Sequence, residues 1–142
     1  MPGGDAIFHP KPKEFVDLLV AVIKEGNIAD VTTIQSFDPR TLIVAHEDYP
    51  DISLAFLIAE SKEYEDNLRL LGFLPEIYSP NFFLVDAELM NFAAENNMKV
   101  IPWTVNDKGS MMELLDLGVD GLITDYPNLA SDLLKQKGYT RL

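Results

Sequence analysis

Between Val100 and Pro127 the chain runs V-I-P-W-T-V-N, then an amphipathic helical stretch, then L-G-V-D-G-L-I-T-D-Y-P. Two short apolar runs flanking one helix make a βαβ pattern, because parallel strands need a crossover and a helix is the usual one. Each run ends in polar residues, Asn106 and Asp107 after the first and Thr124 and Asp125 after the second. The carboxyl ends of parallel strands are where sites are built. Yet neither this stretch nor the rest of the chain carries the acid, base and metal-ligand cluster that such a mouth normally serves.

The same alternation extends through the whole chain. Phe15, Leu18, Leu19, Val22 and Ile23 recur at helical spacing, so the segment from about Pro12 to Glu25 is expected to be an amphipathic helix stopped by Gly26. Val31 to Phe37 is rich in β-branched residues and reads as a strand, and Asp38-Pro39 supplies an N-cap and a first-turn proline for a helix reaching about His46. Ile52 to Ile58 is a second strand, Ser61 to Leu71 a helix closed by Gly72, and Pro75 to Ser79 a third strand. Val85, Leu89, Phe92 and Ala93 repeat the helical spacing with Asp86 as cap, and Lys99 to Val105 forms the next strand although Pro102 withdraws one ladder donor. Ser110 and Glu113 read as a capping box for a helix ending at Gly118. Leu122 to Thr124 is the fifth strand; Pro127 opens the last helix, with Leu129, Leu133 and Leu134 inward and Gly138 beyond its end.

Five strands alternating with helices predict an α/β architecture with parallel pairing and right-handed crossovers. A closed barrel of this type needs eight strands, so five make part of a barrel or an open sheet. A freestanding doubly wound sheet is the competing architecture, but no G-x-G-x-x-G or G-x-x-x-x-G-K-[ST] loop follows any strand.

Composition narrows the function. The 142 residues carry a formal net charge of -12, with the lysines dispersed, which disfavours nucleic acid and anionic membrane surfaces. Without cysteine, disulfides and thiolate metal sites are excluded. No apolar run approaches the roughly 20 residues of a membrane span, and the amino terminus lacks the pattern of a secretory signal. The compartment is not fixed by the sequence, with the cytoplasm as the default.

The motifs I-Q-S-F-D-P-R-T-L at 34–42, Y-S-P at 78–80, I-P-W-T-V-N at 101–106 and L-G-V-D-G-L-I-T-D-Y-P at 117–127 together resemble the carboxyl-terminal portion of the glycerophosphodiester phosphodiesterases. The resemblance covers nearly everything from Pro12 onward. It implies a (β/α)8 TIM barrel of which this chain holds the fourth to the eighth βα unit. It also implies hydrolysis of glycerophosphodiesters to glycerol 3-phosphate and an alcohol, with a divalent cation, calcium or magnesium. The expected organisation is a leader at 1–11 and the barrel portion at 12–142.

The family's H-R-G, E-x-D, H-D and E-I-K motifs are absent; the two histidines, His9 and His46, stand in neither an H-R-G nor an H-D context. The expectation is therefore that no catalytic or metal-binding residue lies in this chain, that the cation belongs to a missing portion, and that the chain alone is inactive. One proton donor alone contributes roughly 10²–10⁴-fold to such a reaction. Phe37, Trp103, Asn106 and Thr124 are expected at the mouth as substrate contacts, against the plainer readings of core packing for the aromatics and loop capping for the polar pair. Asp38 is better explained as an N-cap than as an acid. His9 reads as part of a flexible leader, His46 as a helix-end cation, and Met111 and Met112 as core filler. The alternative function is a noncatalytic half-barrel acting as a binding or interaction module. Open sheet edges near Ile34 and Ile123 predict self-association.

Overall fold

Prolines and short polar side chains decide where most helices begin. The structure, a computed structural model, describes residues 4–60 and 63–136. Helices are α1 (Pro12–Glu25), α2 (Pro39–Asp48), α3 (Tyr64–Leu71), α4 (Ala87–Glu95), α5 (Lys108–Leu117) and α6 (Pro127–Gln136). Strands are β1 (Thr33–Ser36), β2 (Ser53–Ile58), β3 (Ile77–Pro80) and β4 (Lys99–Val100), in sheet order β1-β2-β3-β4. The chain divides into two compact units, Met1–Leu57 with Glu63–Ile77, and Ile58–Lys62 with Tyr78–Leu142.

In the first unit β1 and β2 pair in parallel, Thr33 with Ser53 through Ser36 with Phe56. Helix α1 packs on α2, and α2 packs on α3 and β1. The predicted bounds of α1 hold, but its buried residues are Val16, Val20 and Ile23, whereas Phe15, Leu18 and Val22 are exposed. Gly26 ends this helix in a right-handed conformation, and the following Asn27 takes the left-handed one. Strand β1 is shorter than predicted: Ala29–Val31 forms a 3-10 turn held by the Thr32 hydroxyl donating to Ile28 O at 2.6 Å. Asp38 caps α2 as expected, accepting from Arg40 N. Gly72 closes α3 with φ 76°, a conformation that costs a side-chain-bearing residue about 1 kcal/mol or more. The predicted start of that helix at Ser61 lies outside the described residues.

In the second unit Tyr78, Val100, Val105 and Met111 are the buried heart, with Leu89, Leu114 and Leu133 from the helices around them. Helix α4 packs on β4, and α5 on α6. Asp86 caps α4 as expected. The cap of α5 differs: Asp107, not Ser110, is the N-cap, and its carboxylate accepts from Ser110 N at 2.9 Å. An Asx cap three residues ahead outcompetes the capping box because its geometry places the oxygen directly on the first orphan amides.

Among the described residues four strands form instead of five, and β4 stops at Val100. Pro102 has no N–H to donate. The segment at 121–124 still runs alongside: Ile123 donates to Pro102 O and accepts from Val105 N, both at 2.9 Å. An uninterrupted parallel ladder would take that second bond from residue 104, so Thr104 is an inserted residue that breaks the regular strand. Gly138, the expected stop of α6, lies outside the described residues.

Candidate functional site

Within the second unit, three loops follow the carboxyl ends of β3, β4 and the 121–124 segment. After β3, Asn81 Oδ1 accepts from Phe83 N at 3.2 Å and turns Phe82–Leu84 into a 3-10 helix. The Phe82 and Phe83 rings lie 3.9 Å apart, and Phe83 is 78% exposed. Trp103 is tied into this loop at three points. Its amide donates to Pro80 O and its carbonyl accepts from Phe82 N, both at 3.0 Å, while the indole Nε1–H donates to Ser79 O at 2.8 Å. The Ser79 hydroxyl in turn donates to Ile101 O at 2.6 Å. The Trp103–Thr104 peptide bond is cis. An amphipathic ring held by its one polar atom keeps its orientation, as a contact surface requires.

Asn106, Thr124 and Asp125 form one cluster. The Asn106 amide donates to Asp125 Oδ2 at 2.8 Å, and its Oδ1 accepts from Asp125 N at 3.0 Å and from the Thr124 hydroxyl at 3.2 Å. Thr124 Oγ1 also accepts from Tyr126 N at 3.0 Å, setting the turn into α6. The polar residues predicted from sequence are therefore brought together, and they bind each other. Asp107 is engaged separately: hydrogen bonds from the Ser110 hydroxyl and amide hold its carboxyl below the ordinary value.

In the first unit, Phe37 follows β1 and is 55% exposed. Beside it, Arg40 is gripped by two carboxylates. Its Nη2 donates to Asp38 Oδ2 at 2.6 Å and its Nη1 to Asp5 Oδ2 at 2.6 Å, in bidentate fashion on each side. The Arg40 guanidinium, through these hydrogen bonds, holds both carboxyls below their usual range. Residues 4–9, read from sequence as a flexible leader, fold back on themselves, with Ala6 N donating to His9 O at 2.8 Å, and Asp5 fastens them to Arg40. A cleft of about 210 Å³ lies here, lined by His9, Pro10, Pro12, Phe15, Asp38, Arg40 and Thr41. His46 stacks on Phe73 at 3.8 Å in the last turn of α2. Tyr78, of the Y-S-P motif, is buried in the core.

Two carboxylates that sequence reasoning passed over act at the opposite strand ends. Asp120 Oδ2 accepts from Val100 N, and Glu76 Oε2 accepts from Leu54 N, each at 2.8 Å. Both stand immediately before a βα unit, a position that a pattern search aimed at the carboxyl ends does not inspect. Among the described residues no group of three or more His, Asp or Glu converges to hold a metal ion. The mouth carboxylates Asp38, Asp107 and Asp125 are each committed to a different local partner, so these residues do not fit a divalent cation.

Residues 4–129 match the glycerophosphoryl diester phosphodiesterase family. A glycerophosphodiester phosphodiesterase of Caldanaerobacter subterraneus subsp. tengcongensis is 31% identical over 124 residues, 84% of this chain and 49% of that protein. The crystal structure of a glycerophosphodiester phosphodiesterase from Parabacteroides distasonis superposes with a TM-score of 0.78 at 24% identity, covering 92% of this chain and 55% of that one. The Oleispira antarctica phosphodiesterase in complex with sn-glycerol-3-phosphate gives 0.76 at 20% identity, covering 89% and 53%. The chain thus spans about half the length of these relatives. With this match over most of its length, an α/β fold of parallel strands and helices shared with those structures, and the motifs at 34–42 and 101–127, the chain belongs to the glycerophosphoryl diester phosphodiesterase family.

Proposed function

We propose that residues 12–142 supply the carboxyl-terminal βα units of a glycerophosphodiester phosphodiesterase barrel, with 1–11 as the loop leading into them. Trp103, Asn106 and Thr124 contact the glycerophosphodiester. The observations that carry this reading are the Trp103 indole, fixed by its hydrogen bond to Ser79 O, and, three residues on, Asn106 held in a hydrogen-bonded cluster with Thr124 and Asp125. A rigid aromatic face beside oriented amide and hydroxyl groups suits a glycerol moiety, whose carbons stack while its hydroxyls hydrogen-bond.

The chemistry itself needs a proton donor, a base and a charge clamp for the phosphoryl oxygens, and among the described residues no group of three or more His, Asp or Glu converges to hold a cation. Alone it does not turn over; the acid, base and divalent cation come from polypeptide it does not contain. The test of the contact role is amide and indole NMR on adding millimolar sn-glycerol 3-phosphate. Shifts confined to Trp103, Asn106 and Thr124 are expected, and a spectrum unchanged there overturns it. The second reading, a noncatalytic module that works by binding a partner, is favoured by the exposed apolar side chains of α1. Translating the DNA upstream of Met1 separates the two: H-R-G, E-x-D and E-I-K in frame support the enzyme, and an unrelated gene supports the module.

A further inference from the structure

The loop after β3 holds an aromatic ring in water. Phe83 is 78% exposed, yet its backbone is tightly bonded. Its amide donates to Asn81 Oδ1 at 3.2 Å, the Leu84 amide to Asn81 O at 2.9 Å and the Phe82 amide to Trp103 O at 3.0 Å. The Phe82 and Phe83 rings lie 3.9 Å apart at an interplanar angle of 32°, so one face of Phe83 rests on Phe82 and the other is open to solvent. An exposed phenyl forgoes the stabilisation of burial, and one on a fixed loop presents its π face permanently.

The charge around this ring is of one sign. Between Arg69 and Lys99 the charged side chains are Glu76, Asp86, Glu88 and Glu95. Asp86 and Glu88, both exposed, follow the aromatic pair closely at the start of α4. On the two other loops at this end stand Asp125 and Asp107, the latter followed by Lys108. The face of a phenyl ring is the negative pole of its quadrupole, so ring and carboxylates favour the same ligand, a weakly hydrated cation. An anion is opposed by both, and an uncharged alkyl group gains nothing from the carboxylates.

A glycerophosphodiester whose glycerol meets Trp103, Asn106 and Thr124 still has its alcohol portion to place, and the backbone bond from Phe82 to Trp103 puts the aromatic loop beside that contact. We propose that Phe83, backed by Phe82, binds the alcohol portion and selects a cationic one, with a quaternary ammonium alcohol fitting best. A quaternary ammonium has no N–H to satisfy and spreads its charge over methyl groups that cover a phenyl face, whereas a primary ammonium holds its water more firmly. Phe83 is thus a specificity residue. The inference rests on reading Trp103, Asn106 and Thr124 as glycerol contacts.

The experiment follows the aromatic side-chain NMR signals of the 142-residue chain while choline chloride is added, with its uncharged carbon isostere dimethylbutanol and potassium chloride as comparisons. Choline is expected to shift the Phe82 and Phe83 rings and to bind about 2–5-fold more tightly than the isostere, an advantage that Phe83→Leu removes. Phe15→Leu, at an exposed phenylalanine of α1, leaves that advantage unchanged. Equal affinity for choline and isostere, the same shifts with potassium chloride, or an advantage that survives Phe83→Leu overturns the inference. Shifts at Trp103 and Asn106 with sn-glycerol 3-phosphate, but none at Phe83 with choline, remove the cation site and keep the glycerol contacts. Choline bound at Phe83 of a chain that ignores sn-glycerol 3-phosphate keeps the cation site and removes the glycerol contacts.

Discussion

Asp120 and Asp125 lie five residues apart in D-G-L-I-T-D and do different work at the two ends of one segment. At the amino end, the Asp120 carboxylate completes the hydrogen bonding of Val100, a fully buried residue, in place of a ladder partner. At the carboxyl end, the exposed Asp125 binds the side chain of Asn106 and fixes the loop that leads into α6. The first is a backbone repair in a place where water cannot substitute. The second orients side chains where water can substitute, which adds little to stability and leaves the groups available for recognition. The Asp120 carboxylate at the floor therefore supports the backbone, whereas the Asp125 carboxylate at the mouth orients a neighbouring side chain. Glu76 repeats the floor device in the first unit.

The largest effect expected from this contrast is at the floor. Asp120→Ala strands the Val100 amide and lowers unfolding stability by about 1–3 kcal/mol, measured by urea titration. A loss within error would show that the amide finds another partner and that the contrast is false.

Acid sharpens the comparison next. The carboxyls of Asp38, held down by Arg40, and Asp107, held down by Ser110, titrate below their ordinary values in the folded chain. As pH falls, the unfolded chain takes up these protons first, so the stabilisation present above about pH 4 is lost as pH drops further through the folded values. Asp38→Asn should flatten the dependence of melting temperature on pH below that point, and an unchanged slope would contradict the assignment.

The smallest expected effect is at the mouth. Asn106→Ala should change stability by no more than about 0.5 kcal/mol, because its partners are exposed and can turn to water. A cost equal to that of Asp120→Ala would make the cluster a structural element and weaken its proposed role in substrate contact.

Much of the fold was legible because local signals agreed with the tertiary outcome. Proline followed by apolar spacing placed α1, α2 and α6, Asp86 placed α4, and Gly72 and Gly118 closed their helices in the left-handed conformation they permit. What failed depended on neighbours distant in sequence. The period in α1 is genuine, but periodicity does not say which of two apolar stripes is covered; in the folded chain Val16 and Val20 are buried, and α1 packs on α2. The Asp5–Arg40 pair spans 35 residues and leaves no local pattern. The break at Thr104 reflects pairing with Ile123, although Pro102 gave warning of it. At the site, the clustering of Asn106, Thr124 and Asp125 followed from their shared position at strand ends. Their mutual bonding, which ranks them as a preset group, needed coordinates.

The central claim is that this chain holds a wall of a phosphodiester site without its reacting groups. Its most direct test is release of glycerol 3-phosphate from glycerophosphocholine by the purified 142-residue chain with calcium or magnesium. The expected result is no release above the protein-free control with either ion. Metal-dependent turnover that follows the chain through repurification would contradict the claim and place acid, base and cation among residues assigned here to capping and pairing.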